Sequence, residues 1–466
     1  EVTKYLLANG ASESDILITC QPTSPFLSES TIREVIRLHK KENIDTVISV
    51  KDDRHLRWTF KKEQAIPYYL KRVNRQQLPP VFSETGGVIS SALGRIVKTG
   101  SRIGEKISLV TLDEREGLDI DTFADWALAE YWVNRKKIIL RVDGSKTLGF
   151  GHLYRALAIA QSIHAHSISF VTRSDGDYSL GSNFLRRFNY PVLEISSNEE
   201  FLDKLHEIKP DIVINDILDT TVDYITILKN QSCFVANFED LGKGNILADI
   251  VINDLYPDLL PKKNHWYGVE HAILNPNFED IKRRKEPQKE VNHILIACGG
   301  TDPSNLTGKA IRALEFIDFN KEVSVILGPG NIHFNNIQKI LGNIKGKVNL
   351  LHNVDNMAEV MINSDLAITS AGRTVTELMV AGVPTIAMCQ NPREMRHNHA
   401  SSTYGVINLG LGSHISTEVL AEHLRHFIGD ESLRKEMYSR MSKAIKYRSN
   451  QRIIDKIINV YNSKES

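Results

Sequence analysis

Cysteine, long apolar runs and an excess of either charge are what this sequence lacks. Its 466 residues contain only four cysteines, Cys20, Cys233, Cys298 and Cys389. They form no C-x-x-C motif, so the sequence predicts buried thiols in a reducing cytoplasm rather than a disulfide framework. Lys and Arg together number 57, as do Asp and Glu, and this balance provides no field for nucleic acid or an acidic membrane. No run reaches about 18 apolar residues and no signal peptide is evident, which argues against a membrane span and secretion.

Apolar runs of strand length alternate with amphipathic stretches along most of the chain. Examples are "DILITC" near the N terminus, "DIVIND" at two places and "HILIACGG". This alternation is typical of the α/β class, in which helices cover both faces of parallel sheets. Helical patterns occupy residues 153–163, 200–207, 304–315, 333–342 and 373–381.

Two seams divide the predicted elements into three segments. The helical pattern "DTFADWALAEYWVNRKK" runs directly into a strand, and residues 277–292 form a charged stretch with a proline that suits an exposed crossing between domains. We therefore expect an N-terminal α/β segment at 1–135 and two Rossmann-like halves at 136–285 and 286–466. Because the chain starts at Glu1 and enters directly on a helical pattern, it is expected to be a fragment.

A glycine-containing loop joins a predicted strand to a predicted helix in "RVDGSKTLGFGHLYRALAIA". Gly149 and Gly151 permit a tight turn and close approach of a ligand to backbone N–H groups. His152 follows at the helix start, where the helix dipole disfavours an imidazolium, so the ring is expected to stay neutral and able to accept a proton. Asp143 is expected to orient this ring or a water, and Arg155 is assigned to substrate binding. Alternatively, His152 only caps the helix and Asp143 only closes a turn.

Two further strand–loop–helix patterns follow in the last part of the chain. In "HILIACGGTDPSN", Asp302 is the expected N-cap and Pro303 the first helical residue. The stretch "DLAITSAGRTVTELMVAGVPTIAM" repeats the design. Two such loops at one crevice would direct helix N-termini at a diphosphate. This assigns to nucleotide binding Gly299, Gly300, Thr301, Ser370, Ala371, Gly372 and Thr374.

The loop that contains His152 resembles the opening of the UDP-2,4-diacetamido-2,4,6-trideoxy-β-L-altropyranose hydrolases of pseudaminic acid biosynthesis and of related spore-coat polysaccharide proteins. The likeness continues through "FVANFEDLGKGNILADIVIND", "YGVEHAILNPNF" and "ACGGTDPSNLT", over roughly residues 138–420. It implies a GT-B fold like that of the peptidoglycan N-acetylglucosaminyltransferase, and metal-free hydrolysis of a UDP-sugar with His152 as general base for water. The chain departs from the family after the first "DIVIND", where Asp216 is followed by Ile-Leu-Asp instead of His-Tyr.

Glu377 has two interpretations. By resemblance to the glycosyltransferase domain it binds both ribose hydroxyls of the uridine, a geometry that one carboxylate can satisfy. The local pattern "TVTE" also predicts a capping box between Thr374 and Glu377.

The neighbouring polar residues are less specific. Arg373 is either a phosphate ligand or an ordinary exposed arginine at a helix start. In "CQNPREMRHNHA", Asn398 is expected to face the sugar or the diphosphate. His397 and His399 are expected at the surface, because an H-x-H pair without a Cys or carboxylate partner is a poor metal signal.

The N-terminal segment resembles cytidylyltransferases of the CMP-sialic acid synthetase type in "ILITCQPTSPFLSESTI", "NRQQLPPVFSETGGVIS" and "LDIDTFADWALAE". Asp119 and Asp121 stand two apart in an extended stretch, so both carboxylates are expected on one side. There they would hold Mg²⁺ against a nucleoside triphosphate, as the family's Asp-x-Asp does. Alternatively, Asp121 is the N-cap of the next helix. The family's first strand and CTP-binding loop would precede Glu1, and "ETGG" replaces Asn-Gly-Ala, so we expect a catalytically inactive remnant.

Together these patterns favour a cytoplasmic sugar-nucleotide hydrolase of nonulosonic acid biosynthesis, fused to a cytidylyltransferase of the same pathway. Its expected partners are a UDP-sugar and, at a complete N-terminal module, CTP and a nonulosonic acid. No cofactor is expected for the hydrolase. A glycosyltransferase that uses an acceptor hydroxyl instead of water, and a non-catalytic nucleotide-sugar-binding module, are the alternatives, since fold does not fix function.

Overall fold

The computed structural model describes residues 1–41, 44–257, 264–279, 281–283, 286–352, 354, 356–445 and 450–465. The chain forms two compact units, Glu1–Arg135 and Lys136–Ser466. The predicted boundary between the two Rossmann-like halves, after residue 285, lies outside the described residues.

The first unit is built around a small mixed sheet. Its elements are α1 (Val2–Ala8), β1 (Ile16–Cys20), α2 (Glu29–His39), β2 (Thr46–Asp52), β3 (Trp58–Lys61), β4 (Gln64–Pro67), β5 (Phe82–Ala92), α3 (Leu93–Thr99), β6 (Ile107–Thr111) and α4 (Phe123–Asn134). The strand order is β1-β5-β2-β6, with β3 and β4 paired separately. The expectation of parallel pairing does not hold in this sheet, because β5 runs antiparallel to both β1 and β2.

The first half of the second unit contains a parallel seven-stranded sheet. Its elements are β7 (Lys137–Val142), α5 (Gly151–Ser162), β8 (Ser167–Arg173), α6 (Ser179–Leu185), β9 (Val192–Ile195), α7 (Asn198–Ile208), β10 (Ile212–Asp216), α8 (Val222–Asn230), β11 (Phe234–Phe238), β12 (Ile250–Asn253) and β13 (His265–Tyr267). The order β13-β12-β11-β10-β7-β8-β9 places β10, β11 and β12 side by side.

The second half contains a parallel six-stranded sheet in the order β16-β15-β14-β17-β18-β19. Its elements are β14 (His293–Ala297), α9 (Leu306–Phe316), β15 (Glu322–Leu327), α10 (Phe334–Leu341), β16 (Val348–His352), α11 (Met357–Ile362), β17 (Leu366–Ser370), α12 (Thr374–Ala381), β18 (Thr385–Cys389), β19 (Val406–Leu411), α13 (Thr417–Gly429), α14 (Glu431–Ala444) and α15 (Asn450–Glu465). The α/β class and the two Rossmann-like halves are confirmed.

The last helix does not stay with the half that precedes it. Ile453, Ile454, Ile457 and Tyr461 of α15 are buried in the hydrophobic core of the first half, around α5 and β7. Burying each of these side chains contributes about 1.5–3 kcal/mol. The chain therefore returns to the first half at its end, although the sequence assigned residues 286–466 to one half.

Two predictions about composition can be compared with the structure. Three of the cysteines are buried free thiols, whereas Cys20, the last residue of β1, is exposed. Among the described helices, none has the length and apolar character needed to cross a membrane.

Candidate active site

Three carboxylates collect at one edge of the seven-stranded sheet. Asp216 ends β10, Glu239 follows β11 and Asp254 follows β12. The carboxyl ends of neighbouring parallel strands meet at the same edge, so these side chains lie close together. All three residues are at most 5% exposed. Uncompensated, such a group of buried acids would be costly.

Arg155 of α5 compensates these acids. Its Nε donates to Asp216 Oδ2 at 2.6 Å, and its Nη1 donates to Glu239 Oε1. The same Nη1 lies 3.7 Å from Asp254 Oδ1. Burial alone would lower the pKa of the guanidinium, but Asp216 and Glu239 outweigh this effect and raise the pKa. Arg155 therefore stays charged at the centre of what we call the Arg155 cluster, namely Arg155, Asp216, Glu239 and Asp254.

His152 stands next to this cluster, one turn before Arg155 on the same helix. Its Nδ1 lies 2.6 Å from Asp216 Oδ1. Because the Asp216 carboxylate accepts hydrogen bonds, Nδ1 is the donor in this contact and Nε2 is the ring nitrogen that remains for the chemistry. Arg155 Nη2 lies 3.2 Å from the same Nδ1. Burial would raise the pKa of Asp216, but Arg155 and His152 hold it below its usual value. The pair has the arrangement of a general base with an orienting carboxylate.

Asp143 does not orient the histidine in this structure. Both its oxygens bind the Arg141 guanidinium, at 2.6 and 2.8 Å, and Oδ1 also accepts from the backbone N–H of Arg173 at 2.8 Å. Asp216 takes the position that the sequence assigned to Asp143. The sequence carried a signal for this arrangement, since the repeated "DIVIND" ends in Asp216 at one copy and in Asp254 at the other.

The glycine loop of the first half meets the loops of the second half. Gly149 has φ +83°, which favours glycine. A methyl group added at Gly151 would lie 3.5 Å from Arg373 Cδ, and one at Gly300 would lie 3.4 Å from Phe150 Cβ. The start of α5 therefore faces both the Gly299–Gly300–Thr301 loop and the start of α12.

The helix after the Gly299–Gly300–Thr301 loop is capped by its own chain. Helix α9 begins at Leu306 with Asn305 as N-cap, not at Pro303 after Asp302. Asp302 instead accepts from the N–H groups of Leu306 and Thr307, at 2.8 and 2.9 Å. Asn305 Oδ1 accepts from Gly308 at 3.2 Å. Since these first-turn donors are occupied, this helix end does not offer them to a phosphate, contrary to the expectation.

Helix α12 differs, because no side chain caps it. Its N-cap is Arg373, and the predicted capping box between Thr374 and Glu377 is absent. Within the described part of the chain, the Glu377 carboxylate makes no hydrogen bond. Burial raises the pKa of Glu377 to about 7, with Arg373 opposing the shift. Ser370, Ala371 and Gly372 form the loop before this open helix end.

The two histidines after β18 support that loop instead of lying at the surface. His397 Nδ1 donates to Ala371 O at 2.8 Å, and His399 Nε2 donates to Gly372 O at 2.9 Å. Burial, together with His397, lowers the pKa of His399 to about 3, so this ring is neutral. Asn398 between them is exposed, and its backbone N–H donates to Leu255 O of the first half at 2.7 Å.

Arg373 links the two halves directly. Its Nη1 donates to Glu239 Oε1 at 2.9 Å and its Nη2 to Ile273 O at 2.8 Å. Asp254 Oδ2 lies 3.7 Å from the same Nη2, and neither oxygen of Asp254 has a hydrogen-bond partner among the described residues. Sequence reasoning missed Glu239 and Asp254, and it gave Arg373 no protein partner, because these contacts join positions 84 to 134 residues apart.

Asp119 and Asp121 of the first unit stand in an irregular stretch before α4. Asp119 lies beside Gly86, where an added Cβ would come within 3.1 Å of Asp119 Oδ2, and its Oδ1 is buried without a partner. Asp121 is exposed. It is not the N-cap, since Thr122 caps α4 in a capping box with Asp125. No group of three or more potential metal ligands occurs among the described residues, and a Mg²⁺ site at this pair stays a prediction.

Comparisons with known proteins agree with this geometry at the level of fold and domain. Residues 279–457 match the family model of the glycosyltransferase family 28 C-terminal domain. The chain is 33% identical over 273 residues to an uncharacterised protein of Methanocaldococcus jannaschii, which covers 55% of this chain and 56% of that protein. The chain thus spans little more than half the length of this relative.

Two further relatives are matched over nearly their whole length. Spore coat polysaccharide biosynthesis protein SpsG of Bacillus subtilis is 24% identical over 311 residues, 64% of this chain and 90% of that protein. The UDP-2,4-diacetamido-2,4,6-trideoxy-beta-L-altropyranose hydrolase of Campylobacter jejuni is 25% identical over 264 residues, 54% and 91% respectively.

Among solved structures, MurG of Acinetobacter baumannii superposes with a TM-score of 0.55 at 17% identity, over 70% of this chain and 99% of that chain. At this identity the likeness shows the fold alone. The second unit therefore has the GT-B glycosyltransferase fold, and its C-terminal part matches the glycosyltransferase family 28 C-terminal domain.

Proposed function

We propose that the second unit hydrolyses a UDP-linked 2,4-diacetamido-2,4,6-trideoxy sugar to UDP and the free sugar, as a step of nonulosonic acid biosynthesis. The observation that carries the proposal is the 2.6 Å contact between His152 Nδ1 and Asp216 at the start of α5, beside Arg373 of the second half. The distant homology to a hydrolase of such a sugar nucleotide supports the choice of substrate.

In this mechanism His152 Nε2 takes a proton from a water molecule. The water oxygen forms a bond to the anomeric carbon, and the bond from that carbon to the β-phosphate oxygen breaks with its electron pair leaving on UDP. The carboxylate of Asp216 stabilises the imidazolium that results, and general base catalysis of this kind contributes about 10²–10⁴-fold. The proton on His152 then returns to solvent.

Helix α5 of the first half and helix α12 of the second half supply charge stabilisation for the leaving group. Neither α5 nor α12 has a side-chain cap at its N-terminus, and such helix ends present N–H donors and a positive dipole to an anion. Arg373 lies between them and adds a positive charge. Glu377, whose carboxylate makes no hydrogen bond to any described residue, binds the ribose hydroxyls.

For the first unit we propose a remnant of a CMP-nonulosonate cytidylyltransferase. The support is the resemblance of its sequence motifs and the unpartnered Asp119 Oδ1 beside Gly86. Where Mg²⁺ binds, Asp119 and Asp121 would be its carboxylate ligands, and the metal would neutralise nucleotide phosphates.

The test is UDP release from UDP-2,4-diacetamido-2,4,6-trideoxy-β-L-altropyranose, followed by proton NMR without acceptor and with EDTA. In H₂¹⁸O the label is expected on the free sugar and not on UDP, because the carbon–oxygen bond breaks. A rate that depends on an added acceptor alcohol would instead favour a glycosyltransferase, which the family 28 match of residues 279–457 makes the second candidate. Tight UDP binding without turnover of any candidate UDP-sugar, with or without an acceptor, would contradict both enzymes and favour a binding module.

A further inference from the structure

One oxygen of Glu239 accepts hydrogen bonds from both halves of the second unit. Its Oε1 is the acceptor for Arg155 Nη1 of the first half and for Arg373 Nη1 of the second half, the latter at 2.9 Å. Burial would raise the pKa of Glu239, but Arg155 and Arg373 lower it, so the side chain is a carboxylate. It is the shared counter-ion of two guanidinium groups.

The backbone of Glu239 is held as firmly as its side chain. Its φ is +53°, in the left-handed region that non-glycine residues seldom adopt. The N–H donates to Ile252 O at 2.9 Å, and the carbonyl accepts from Arg393 Nη2 of the second half at 3.0 Å. Backbone conformations of this kind persist where the surroundings determine them, and they concentrate at functional sites.

From Glu239 an unbroken series of contacts reaches the catalytic histidine. Arg155, bound to Glu239 through Nη1, binds both oxygens of Asp216 through Nε and Nη2. Asp216 Oδ1 in turn accepts from His152 Nδ1 at 2.6 Å. Arg155 and His152 therefore compete for the charge of Asp216, just as Arg155 and Arg373 compete for the charge of Glu239.

We propose that Glu239 is a positioning residue that transmits the engagement of Arg373 by an anionic ligand to the basicity of His152. When a diphosphate binds the Arg373 guanidinium, the Glu239 carboxylate is left paired with Arg155 alone. Arg155 then donates less to Asp216, and Asp216 binds the Nδ1 proton of His152 more strongly. The base is strengthened when the anion is in place. The proposal rests on the proposed function only for the identity of the anion.

Other charged groups also face this series. Asp254 lies 3.7 Å from both guanidinium groups; burial raises its pKa and Arg373 opposes the shift. His397 and Tyr256 of the surrounding loops interact electrostatically with Glu239. All of these groups are present in every variant below.

The test is a double-variant cycle on the ligand-free protein. The pH midpoint of the His152 ring signal is measured by NMR with labelled histidine, and the signal is assigned with His152→Gln. We expect Arg373→Met to raise the midpoint by about half a pH unit and Glu239→Gln to lower it. In the Glu239→Gln background, Arg373→Met should shift the midpoint by less than half as much. Equal shifts in both backgrounds would contradict the relay, because a through-space field is additive.

Matched variants and ligands complete the experiment. Arg396→Met removes an exposed positive charge from the same half, and its effect should be the same with and without Glu239→Gln. Arg373→Lys should restore part of the wild-type midpoint. If Glu239→Gln does not fold, Glu239→Asp keeps the charge but shortens the reach, and it should reduce the Arg373→Met shift; an unreduced shift would contradict the relay.

UDP is then added to wild-type protein and to Glu239→Gln. The expected result is an upward shift that is larger in the wild type, and equal shifts would contradict the relay. Absence of UDP binding would contradict the proposed function instead, while the ligand-free cycle still decides whether Glu239 transmits the effect.

Discussion

Three helix N-termini lie near the contact between the two halves of the second unit. Side chains cap one of them and do not cap the other two. Helix α9 is closed by Asp302 and Asn305, which accept from its first N–H groups. Helices α5 and α12 have no side-chain cap. A cap contributes about 1 kcal/mol to stability, so two helix ends at one seam forgo a stabilisation that the third retains.

The difference separates a helix end whose first N–H groups are bound by side chains from two helix ends that no side chain caps. The open ends carry His152 and Glu377, whereas the closed end carries residues whose polar atoms are used within the chain. A loop rich in glycine therefore does not predict an uncapped helix, because the Gly299–Gly300 loop leads into the closed helix α9. The difference lies in whether side chains bind the backbone N–H groups of the first helical turn after the loop.

The largest expected effect is at the open end of α5. His152→Ala should lower kcat for UDP release by about 10²–10⁴-fold, because water loses its general base, with the Kd for UDP unchanged within about twofold. Steady-state kinetics and calorimetric UDP titration measure the two quantities. His164→Ala, an exposed histidine beyond the far end of the same helix, is the control and should be neutral. Turnover of the His152→Ala variant at the wild-type rate would remove His152 from the chemistry.

The next effect distinguishes two buried carboxylates that both pair with arginine. Asp143→Asn leaves the buried Arg141 guanidinium without its carboxylate and should lose about 3–5 kcal/mol of unfolding free energy, whereas Asp216→Asn should lose less because Arg155 keeps its bond to Glu239. Only Asp216 contacts His152. We expect kcat to fall about 10²-fold or more for Asp216→Asn and only a few fold for Asp143→Asn. Denaturant unfolding measures the free energy of unfolding of both variants. A larger fall in kcat for Asp143→Asn than for Asp216→Asn would restore Asp143 as the orienting group.

A smaller effect is expected at the open end of α12. Since the pKa of Glu377 is raised to about 7, its carboxylate is protonated below that pH and cannot accept from both ribose hydroxyls. UDP affinity should rise as the pH increases through about 7, and Glu377→Gln should bind about tenfold more weakly, which corresponds to about 1.4 kcal/mol, with a flatter pH profile.

The difference between the pH profiles of wild type and Glu377→Gln separates the effect of Glu377 from the effects of other groups that titrate in the same pH range. The phosphate of UDP ionises near pH 6 in both, and Glu394, whose pKa is raised to about 7 by burial, is present in both. Glu315→Gln removes an exposed carboxylate of α9 and should leave the profile unchanged. Parallel profiles for wild type and Glu377→Gln would exclude the ribose contact.

The smallest effect concerns the closed end of α9. Asp302→Ala removes two first-turn acceptors and should lower the unfolding free energy by about 1–2 kcal/mol, with the Kd for UDP unchanged. Ser416→Ala at the N-cap of α13 gives the cost of losing a cap away from the site. Thermal unfolding and UDP titration together check the pair. A large loss of UDP affinity in Asp302→Ala alone would place α9 among the ligand-binding helix ends.

Local periodicity predicted most of the second unit but not the way its helices begin. The pattern at 153–163 corresponds to α5 at Gly151–Ser162, and the pattern at 373–381 to α12 at Thr374–Ala381. The start of α9 was placed three residues too early, because Asp302 and Asn305 adopt positive φ of 45° and 52°. Propensity rules reserve that region mainly for glycine.

The site was predictable only where its residues are close in sequence. His152 and the glycine loop form one local motif, whereas Glu239 meets Arg373 across 134 positions. The burial of His399 likewise depends on a loop from another strand, since its partner is Gly372 O. The order β10-β11-β12, which brings Asp216, Glu239 and Asp254 together, follows from tertiary packing that no local pattern encodes.

The most direct measurement is a crystal structure with UDP bound. We expect phosphate oxygens at the uncapped N-termini of α5 and α12, the ribose hydroxyls on Glu377, and His152 Nε2 facing the β-phosphate side of the ligand. Phosphate oxygens bound at the start of α9 with Asp302 displaced, or a His152 ring separated from both the ligand and Asp216, would contradict this expectation.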